Sequence, residues 1–430
     1  MDIDRRAFLA LSGAAAAAAV PRPVAAQTAS DDEAFWSGIR SRFRLSDDVI
    51  HMSALLIASH PDVVRDAIER HRAGIDAEPV RYLEANWGRR DTAIEAAAAY
   101  LGTDARSIAL TDSTTMGVGL VYNGLRLRPG QEILSTQQDY YVTQESLRLA
   151  SLRSGAVLRR IDLGTEAGSL GADGIADQVV AGIGPATRAL AITWVHSSTG
   201  LKMPVRRIAD RLVPINANRD EDDQVLLCVD AVHGFGNQDE TVASLGCDLL
   251  MAGCHKWLFG PRGTGLIAAG SRGWLNLLPT IPSFEDQRAW DAWQIGVEPP
   301  DGATAGAAMT SGGFKAFEHV WALAEAFGFH AEIGKGRMAE RTAALATQLK
   351  EGLSALPRVY LHTPLSPELS AGIVSFDIEG WSPANAVRAL RERGITASVA
   401  PYSPPHARLT PSIQNNPQEI ETVIAAIAAM

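Results

Sequence analysis

The sequence predicts an α/β fold with two lobes. The larger is built on a mainly parallel, seven-stranded sheet flanked by helices, and a smaller α/β lobe follows at the C-terminus. Three observations carry this. Short apolar runs alternate with segments of helical period through the middle of the chain, the pattern of strands joined by crossover helices. Thr111, Thr193, Asp230 and Lys256 fall at or just after the ends of such runs, and ligands in these sheets bind outside the carboxyl ends of the strands. The turn-rich Pro299-Pro300-Asp301-Gly302 then marks a change to long helical segments.

Residues 1–26 are expected to be a removed export signal. Asp4-Arg5-Arg6-Ala7-Phe8-Leu9 is a twin-arginine pattern and Leu9–Val20 an alanine-rich apolar stretch. Val24-Ala25-Ala26 offers small residues for cleavage before Gln27. The apolar stretch is too short for an ordinary membrane span, and no other window is long and apolar enough. The protein is therefore expected in the periplasm or outside the cell, carried across in folded form.

Residues 27–60 read as an N-terminal arm, with Thr28–Leu45 helical. Residues 61–300 read as the large domain. Pro61–Ala73 and Arg90–Leu101 carry helical spacing there, with Asp91 and Thr92 as caps of the second. Its expected strands are Ser107–Leu110, Glu132–Ser135, Ala156–Ile161, Ala189–Trp194, Val225–Val229, Asp248–Ala252 and Gly265–Ala269. Residues 301–430 read as the small domain. Phe314–Leu356 is expected as one or two long helices, and Val359–His362, Gly372–Ile378 and Ile395–Ser398 as strands. Pro383–Arg393 is a helix with Ser382 as its N-cap, and Glu419–Ala429 closes the chain as another.

Apolar residues make up 46% and charged residues 20% of the chain, enough for a sizeable core and too apolar for bulk disorder. The net charge of −10 comes with no basic stripe, which argues against a nucleic-acid partner. Cys228, Cys247 and Cys254 are an odd set that cannot pair completely; they read as small core residues.

Two runs carry the chemistry. VLLCVDAVHGFG (Val225–Gly236) holds Asp230 and His233, and LLMAGCHKWLFGPRGTG (Leu249–Gly265) holds His255 and Lys256. Each is an apolar strand opening into a polar turn. A lysine to hold an aldehyde, with an acid to hold a ring nitrogen, is what pyridoxal 5′-phosphate (PLP) requires. A buried carboxylate such as Asp230 is costly without a cationic partner, and a protonated pyridine is one. TDSTTMGVG (Thr111–Gly119) places small hydroxyl residues between a strand and a helix, a phosphate cradle of N–H groups. Tyr140 follows the next strand and offers a ring for stacking. Ser197 lies in a loop after another strand, and Arg408 offers a fork for a carboxylate. Asn86, in EANWGRR, is a further candidate for the pocket wall. A folded-protein export route suits an enzyme that loads its cofactor before crossing.

These residues resemble the class V aminotransferase family, the fold-type I PLP enzymes that include cysteine desulfurases and isopenicillin N epimerase-like proteins. The resemblance covers nearly all of the mature chain and is most specific at Asp230-x-x-His233, His255-Lys256 and the GPRGTG turn. It implies that Lys256 forms the Schiff base with PLP and that Asp230 pairs with the pyridine nitrogen. Tyr140 would stack on the ring where many relatives have histidine. Thr114, Thr115 and His255 would hold phosphate, with Ser197 and His233 near the phenolic oxygen. Thr310 would reach the phosphate of a partner subunit, so a homodimer is implied. Arg408 would bind the α-carboxylate of an amino-acid-like substrate. There are departures. Arg393–Arg408 reads RGITASVAPYSPPHAR, without the cysteine a desulfurase needs. Gly253 replaces a serine that often donates to phosphate, and Met116 stands where some relatives carry an acid.

The resemblance implies chemistry at Cα, as an aminotransferase or epimerase, with Lys256 as the general base. A lyase, or a tailoring enzyme of a secreted natural product such as a siderophore, is an alternative. So is a binding protein that keeps the fold without the chemistry. Thr111–Gly119 lacks the G-x-G-x-x-G of a nicotinamide dehydrogenase. Neither G-x-S-x-G nor H-E-x-x-H occurs, and the ten histidines show no metal-ligand spacing along the sequence.

Overall fold

A computed structural model describes residues 29–164, 167–299 and 301–430. The expected signal segment, residues 1–26, lies outside the described residues. The large sheet contains seven strands: β2 (Ile108–Thr111), β3 (Glu132–Thr136), β4 (Val157–Ile161), β5 (Thr187–Thr193), β6 (Leu226–Asp230), β7 (Leu249–Gly253) and β8 (Gly265–Ala269). Their spatial order is β2-β8-β7-β6-β5-β3-β4. The β4/β3, β3/β5, β5/β6 and β6/β7 pairs are parallel; β8 runs antiparallel to both β7 and β2.

The sequence explains why β5, β6 and β7 are central. Every residue of each is buried, as a strand covered by helices on both faces must be. The two faces feed separate cores: Leu190, Ile192, Leu227 and Val229 belong to one cluster, Ala189, Ala191, Leu226 and Cys228 to the other. Each fully buried Leu, Ile or Val contributes about 1.5–3 kcal/mol. All three cysteines are buried free thiols, as expected.

The smaller sheet has order β12-β13-β10-β9, from β9 (Val359–Leu361), β10 (Val374–Ile378), β12 (Ser398–Val399) and β13 (Ala407–Leu409). Two remaining strands, β1 (Ile50–His51) and β11 (Ile395–Thr396), pair in parallel. The single strand expected at Ile395–Ser398 is thus two, serving different sheets. The segment also anchors the N-terminal arm, whose Met52 is fully buried in the small-lobe core.

Several helix expectations change in detail. Phe314–Leu356 forms three helices, Phe317–Trp321, Leu323–Ile333 and Lys335–Ser354. The last two are separated at Gly334, whose φ of 95° is open to glycine at no steric cost. Leu323, Ala326 and Phe327 pack with the large-lobe core, whereas Leu345, Leu349 and Leu353 pack in the small lobe. Asp91 and Thr92 do not cap their helix, which begins at Arg89 after Gly88. Ser382 does cap its own: the Asn385 N–H donates to the Ser382 hydroxyl at 3.3 Å. Among the described residues, no helix is long and apolar enough to cross a membrane.

Candidate active site

Three parallel strands end at one cavity of about 180 Å³. Asp230 is the last residue of β6 and sits beside Thr193, the last of β5. Lys256 follows β7 by three residues, and the strand β2 leads into Ser113 and the helix Thr114–Gly124. Lys256, Asp230, Thr114, Thr115, Tyr140, Ser197, His233, His255 and Arg408 all line this cavity. Residues far apart in sequence converge because the carboxyl edge of a parallel sheet collects the turns after each strand.

Asp230 is 3% exposed. One carboxylate oxygen accepts from the Val232 N–H at 3.1 Å and the other from the Thr143 hydroxyl at 3.2 Å. Two donors leave acceptor capacity unfilled on a group with about four lone-pair sites. Burial pushes its pKa up to about 6, and the positive charge of Lys256 opposes that rise. The carboxylate is thus charged near neutrality and short of a cation. Burial likewise pulls Lys256 down to about 8, against the attraction of Asp230 and with Arg408 repelling the same charge. A lysine so placed reaches its neutral, nucleophilic form readily. Capture of PLP by the apoprotein should therefore accelerate as pH rises through about 8 and level off above it. Stopped-flow absorbance reads this directly; a rate that keeps rising about tenfold per pH unit up to about pH 10, as for an unperturbed lysine, contradicts it.

The turn that presents Lys256 is held under strain. Phe259 has φ 55°, in the left-handed region that bulky residues avoid, a conformation costing about 1–3 kcal/mol. Its ring is 2% exposed and meets Phe43 edge-on at 5.2 Å, and its carbonyl lies 3.2 Å from His60 Nδ1. This packing offsets the cost and fixes the loop.

The phosphate end is built from the helix Thr114–Gly124. The Ser113 hydroxyl caps it, accepting from the Met116 N–H at 3.1 Å. Thr114 Oγ1 is buried without a hydrogen-bond partner among the described residues, and the first-turn N–H groups favour an anion. At Gly253 a Cβ would stand 2.7 Å from that same oxygen. The glycine therefore leaves room for Thr114 as it is oriented here, where a serine would compete for the space.

His233 is buried, and its Nδ1 accepts from the Trp257 indole N–H at 3.4 Å. Burial holds its pKa well below the usual histidine range, with Lys256 and Arg408 adding to the depression. The ring is neutral, and its proton is on Nε2. Arg408 is 2% exposed and pairs with no carboxylate among the described residues. It donates instead to the carbonyls of Ser197 at 2.6 Å and Val399 at 3.1 Å, and to the Ser398 hydroxyl at 3.3 Å. Burial pulls it down to about 10, still fully charged near neutrality. An unneutralised guanidinium in a cavity wall is a site for an anion.

One residue expected in the pocket wall, Asn86, is not brought to this cavity. Asn86 ends the helix Pro79–Asn86, where its amide donates to the Tyr82 carbonyl at 2.8 Å and its oxygen accepts from Arg89 at 2.6 Å. Thr310 is buried beside β2; its hydroxyl accepts from the Leu110 N–H at 3.1 Å and donates to the Gly306 carbonyl at 3.2 Å. Its proton and one of its two lone pairs are engaged within the chain, and Thr310 lines a separate apolar hollow with Trp87 and Phe314.

The structure also adds residues. Leu55, Leu56 and Pro401 line the cavity. Tyr402 lies 2.8 Å from Ser197 Oγ through its hydroxyl and stands 5.9 Å from the Tyr140 ring. Asp139 is buried and accepts four hydrogen bonds, from the Ser135 and Thr136 hydroxyls and the Thr136 and Thr193 N–H groups. It ties the turn before Tyr140 to the end of β5. A tyrosine between two prolines was a visible signal for Tyr402; nothing in sequence spacing distinguished Asp139 from a surface turn.

Residues 88–401 match the family described as Aminotransferase class-V. The chain belongs to the class-V aminotransferase family. A family relative, isopenicillin N epimerase of Streptomyces clavuligerus, is 29% identical over 92% of this chain and 98% of its own. A probable cysteine desulfurase of Mycolicibacterium paratuberculosis is 24% identical over 84% of this chain, which spans about half (51%) of that protein. Among solved structures, the C-DES protein with glycine covalently linked to its PLP cofactor superposes with a TM-score of 0.79 at 20% identity, over 90% of this chain and 98% of that one. The cysteine desulfurase of Thermococcus onnurineus gives 0.77 at 19%, over 91% and 97%. This class-V chain has the α/β fold of those proteins, and its cofactor is PLP. The residues present fit it. The Thr114 hydroxyl, without a partner among the described residues, sits at a helix N-terminus, an under-satisfied buried carboxylate lies on one wall, and a lysine depressed by burial lies on another.

Proposed function

We propose that this protein is an exported enzyme that works at the Cα of an amino acid, or of an amino-acid moiety in a larger molecule, as a transaminase or epimerase. The observation that carries this reading is the buried, uncompensated Arg408 in the same cavity as Lys256. A substrate carboxylate paired with that guanidinium is held within reach of the lysine. PLP, when bound, supplies the aldehyde and an electron sink. In this reading Lys256 holds the aldehyde and then moves the Cα proton. Asp230 keeps the ring nitrogen protonated, and His233, Ser197 and Tyr140 orient the ring. Thr114, Thr115 and His255, which line the same cavity, would hold its phosphate.

The 29% identity to an epimerase over 92% of the chain supports chemistry at Cα. Desulfurase chemistry is disfavoured by the thiols. Cys247 and Cys254 are pushed up to about 12 by burial, and Cys228 is also raised, so none offers a ready thiolate. The loop before Arg408 holds no cysteine. Export rests on the twin-arginine pattern of residues 4–9; fractionation of the native host, with the mature chain beginning at Gln27, tests it. A homodimer belongs to the same reading, because Trp293, Ile295 and Phe314 are 69%, 75% and 79% exposed and exposed apolar patches mark contact surfaces. Sedimentation of a fully active monomer contradicts that part.

The enzymatic reading is tested by incubating the holoenzyme with L- and D-amino acids in deuterium oxide. Exchange of the Cα proton is expected for one substrate class. Chiral chromatography then separates the outcomes: a mixed enantiomer pool means epimerisation, and an oxo acid means transamination. No exchange with any carboxylate-bearing amine contradicts the reading.

A further inference from the structure

The small-lobe sheet has an apolar face and a polar face. Val374, Phe376, Ile378, Ala407 and Leu409 point into the small-lobe core. Strand alternation sends Ser375, Asp377, His406 and Arg408 the other way. In the β10–β13 register Ser375 faces Arg408 and Phe376 faces Ala407, so Asp377 comes opposite His406 one step further on. Across β9, Phe376 faces Leu361, and the His362 N–H donates to the Ser375 carbonyl at 2.9 Å. Three strands thus bring His362, Asp377 and His406 together.

Asp377 Oδ2 lies 2.8 Å from His362 Nε2 and 2.8 Å from His406 Nδ1. The two imidazoles lie 3.8 Å apart between centroids, tilted by 34°. Hydrogen bonds account for Oδ2, but the other oxygen, Oδ1, is buried with no partner among the described residues. His362 and His406 open on a cavity of about 290 Å³, separate from that of Lys256. Another wall of it is His196, 1% exposed, with both ring nitrogens unpartnered among the described residues. Burying so many silent polar atoms at one place is costly unless a ligand completes them.

We propose that His362, Asp377 and His406 form a binding site for a divalent transition cation of the zinc class. Two imidazoles and one carboxylate suit such a cation better than the oxygen-seeking magnesium or calcium. The three ligand atoms lie within 4.8 Å of one another. Ligands about 2.0–2.2 Å from zinc require the present contacts to widen by roughly half an ångström, which the partly exposed Asp377 and His362 side chains (30% and 31%) allow. The cavity has room for water in the remaining position. His406 ends the loop after β12, whose Ala400 N–H donates to the His406 carbonyl at 2.8 Å. That loop carries Pro401 and Tyr402, so a cation here would tie one wall of the Lys256 cavity to β9 and β10.

The test uses the untagged mature holoenzyme, stripped with a chelator and titrated calorimetrically with Zn²⁺ and, separately, Mg²⁺. One Zn²⁺ per chain is expected, with Mg²⁺ silent. His362→Gln, Asp377→Asn and His406→Gln should each weaken Zn²⁺ by about tenfold or more, with circular dichroism confirming the fold. Co²⁺ provides a readout that needs no variant: ligand-field bands beyond the cofactor absorption should appear at one equivalent. Absence of both Zn²⁺ heat and Co²⁺ bands overturns the proposal. So does Zn²⁺ binding that ignores all three substitutions, since the cation then sits elsewhere.

Discussion

Lys256→Ala should give a folded protein that has lost the visible band of the lysine-bound cofactor and at least about 10³-fold of its activity. The side chain is half-buried, depressed to about 8 by burial, and placed on a turn held by the packing of Phe259. Its removal deletes both the group that holds the aldehyde and the base that moves the Cα proton. It also takes away a charge that is costly to bury, so the thermal stability of the apoprotein should not fall; calorimetry and circular dichroism of the apo form check this beside the assay. Phosphate-end contacts survive, so PLP still binds, but more weakly and as a free aldehyde. A variant with an unchanged band would place the attachment on another lysine. Buried Lys350 is not an alternative: it is spent on the Pro364 and Leu365 carbonyls and the Ser370 hydroxyl.

Asp230→Asn is expected to have the next largest effect. Asparagine keeps the shape and an acceptor for the Val232 N–H, while its amide still finds the Thr143 oxygen. What disappears is the charge facing the ring nitrogen. Pairing at a buried site is worth about 3–5 kcal/mol when one partner is removed, or about 10²- to 10⁴-fold in rate. The loss should appear mainly in kcat, because the protonated ring matters most when negative charge develops on it. Thr143→Val is the control: it removes one hydrogen bond to Asp230 and leaves the charge, and should cost about tenfold or less. If the two substitutions cost the same, Asp230 serves as a structural brace and the assignment fails.

Much of this was legible in the sequence for a physical reason. β5, β6 and β7 are buried on both faces, so they read as continuous apolar runs, and their first polar residues mark the carboxyl edge of the sheet. That is why Asp230, Lys256 and Thr114 were found together. What failed depended on geometry that spacing does not encode. Asn86 looked like a pocket residue but closes the end of its own helix. Ile395–Ser398 read as one strand, although its halves pair with partners from opposite ends of the chain. The histidines showed no ligand spacing along the sequence, because His362 and His406 meet only through the β9–β10–β13 register. Tertiary pairing between distant segments was the information missing each time.

The central claim is that Lys256 holds PLP in the cavity it shares with Asp230 and Arg408. Borohydride reduction of the purified holoenzyme, followed by proteolysis and mass spectrometry, tests it most directly. The account predicts a phosphopyridoxyl group on the peptide containing Lys256 and on no other. A label on a different lysine, or none in protein saturated with PLP, would contradict it.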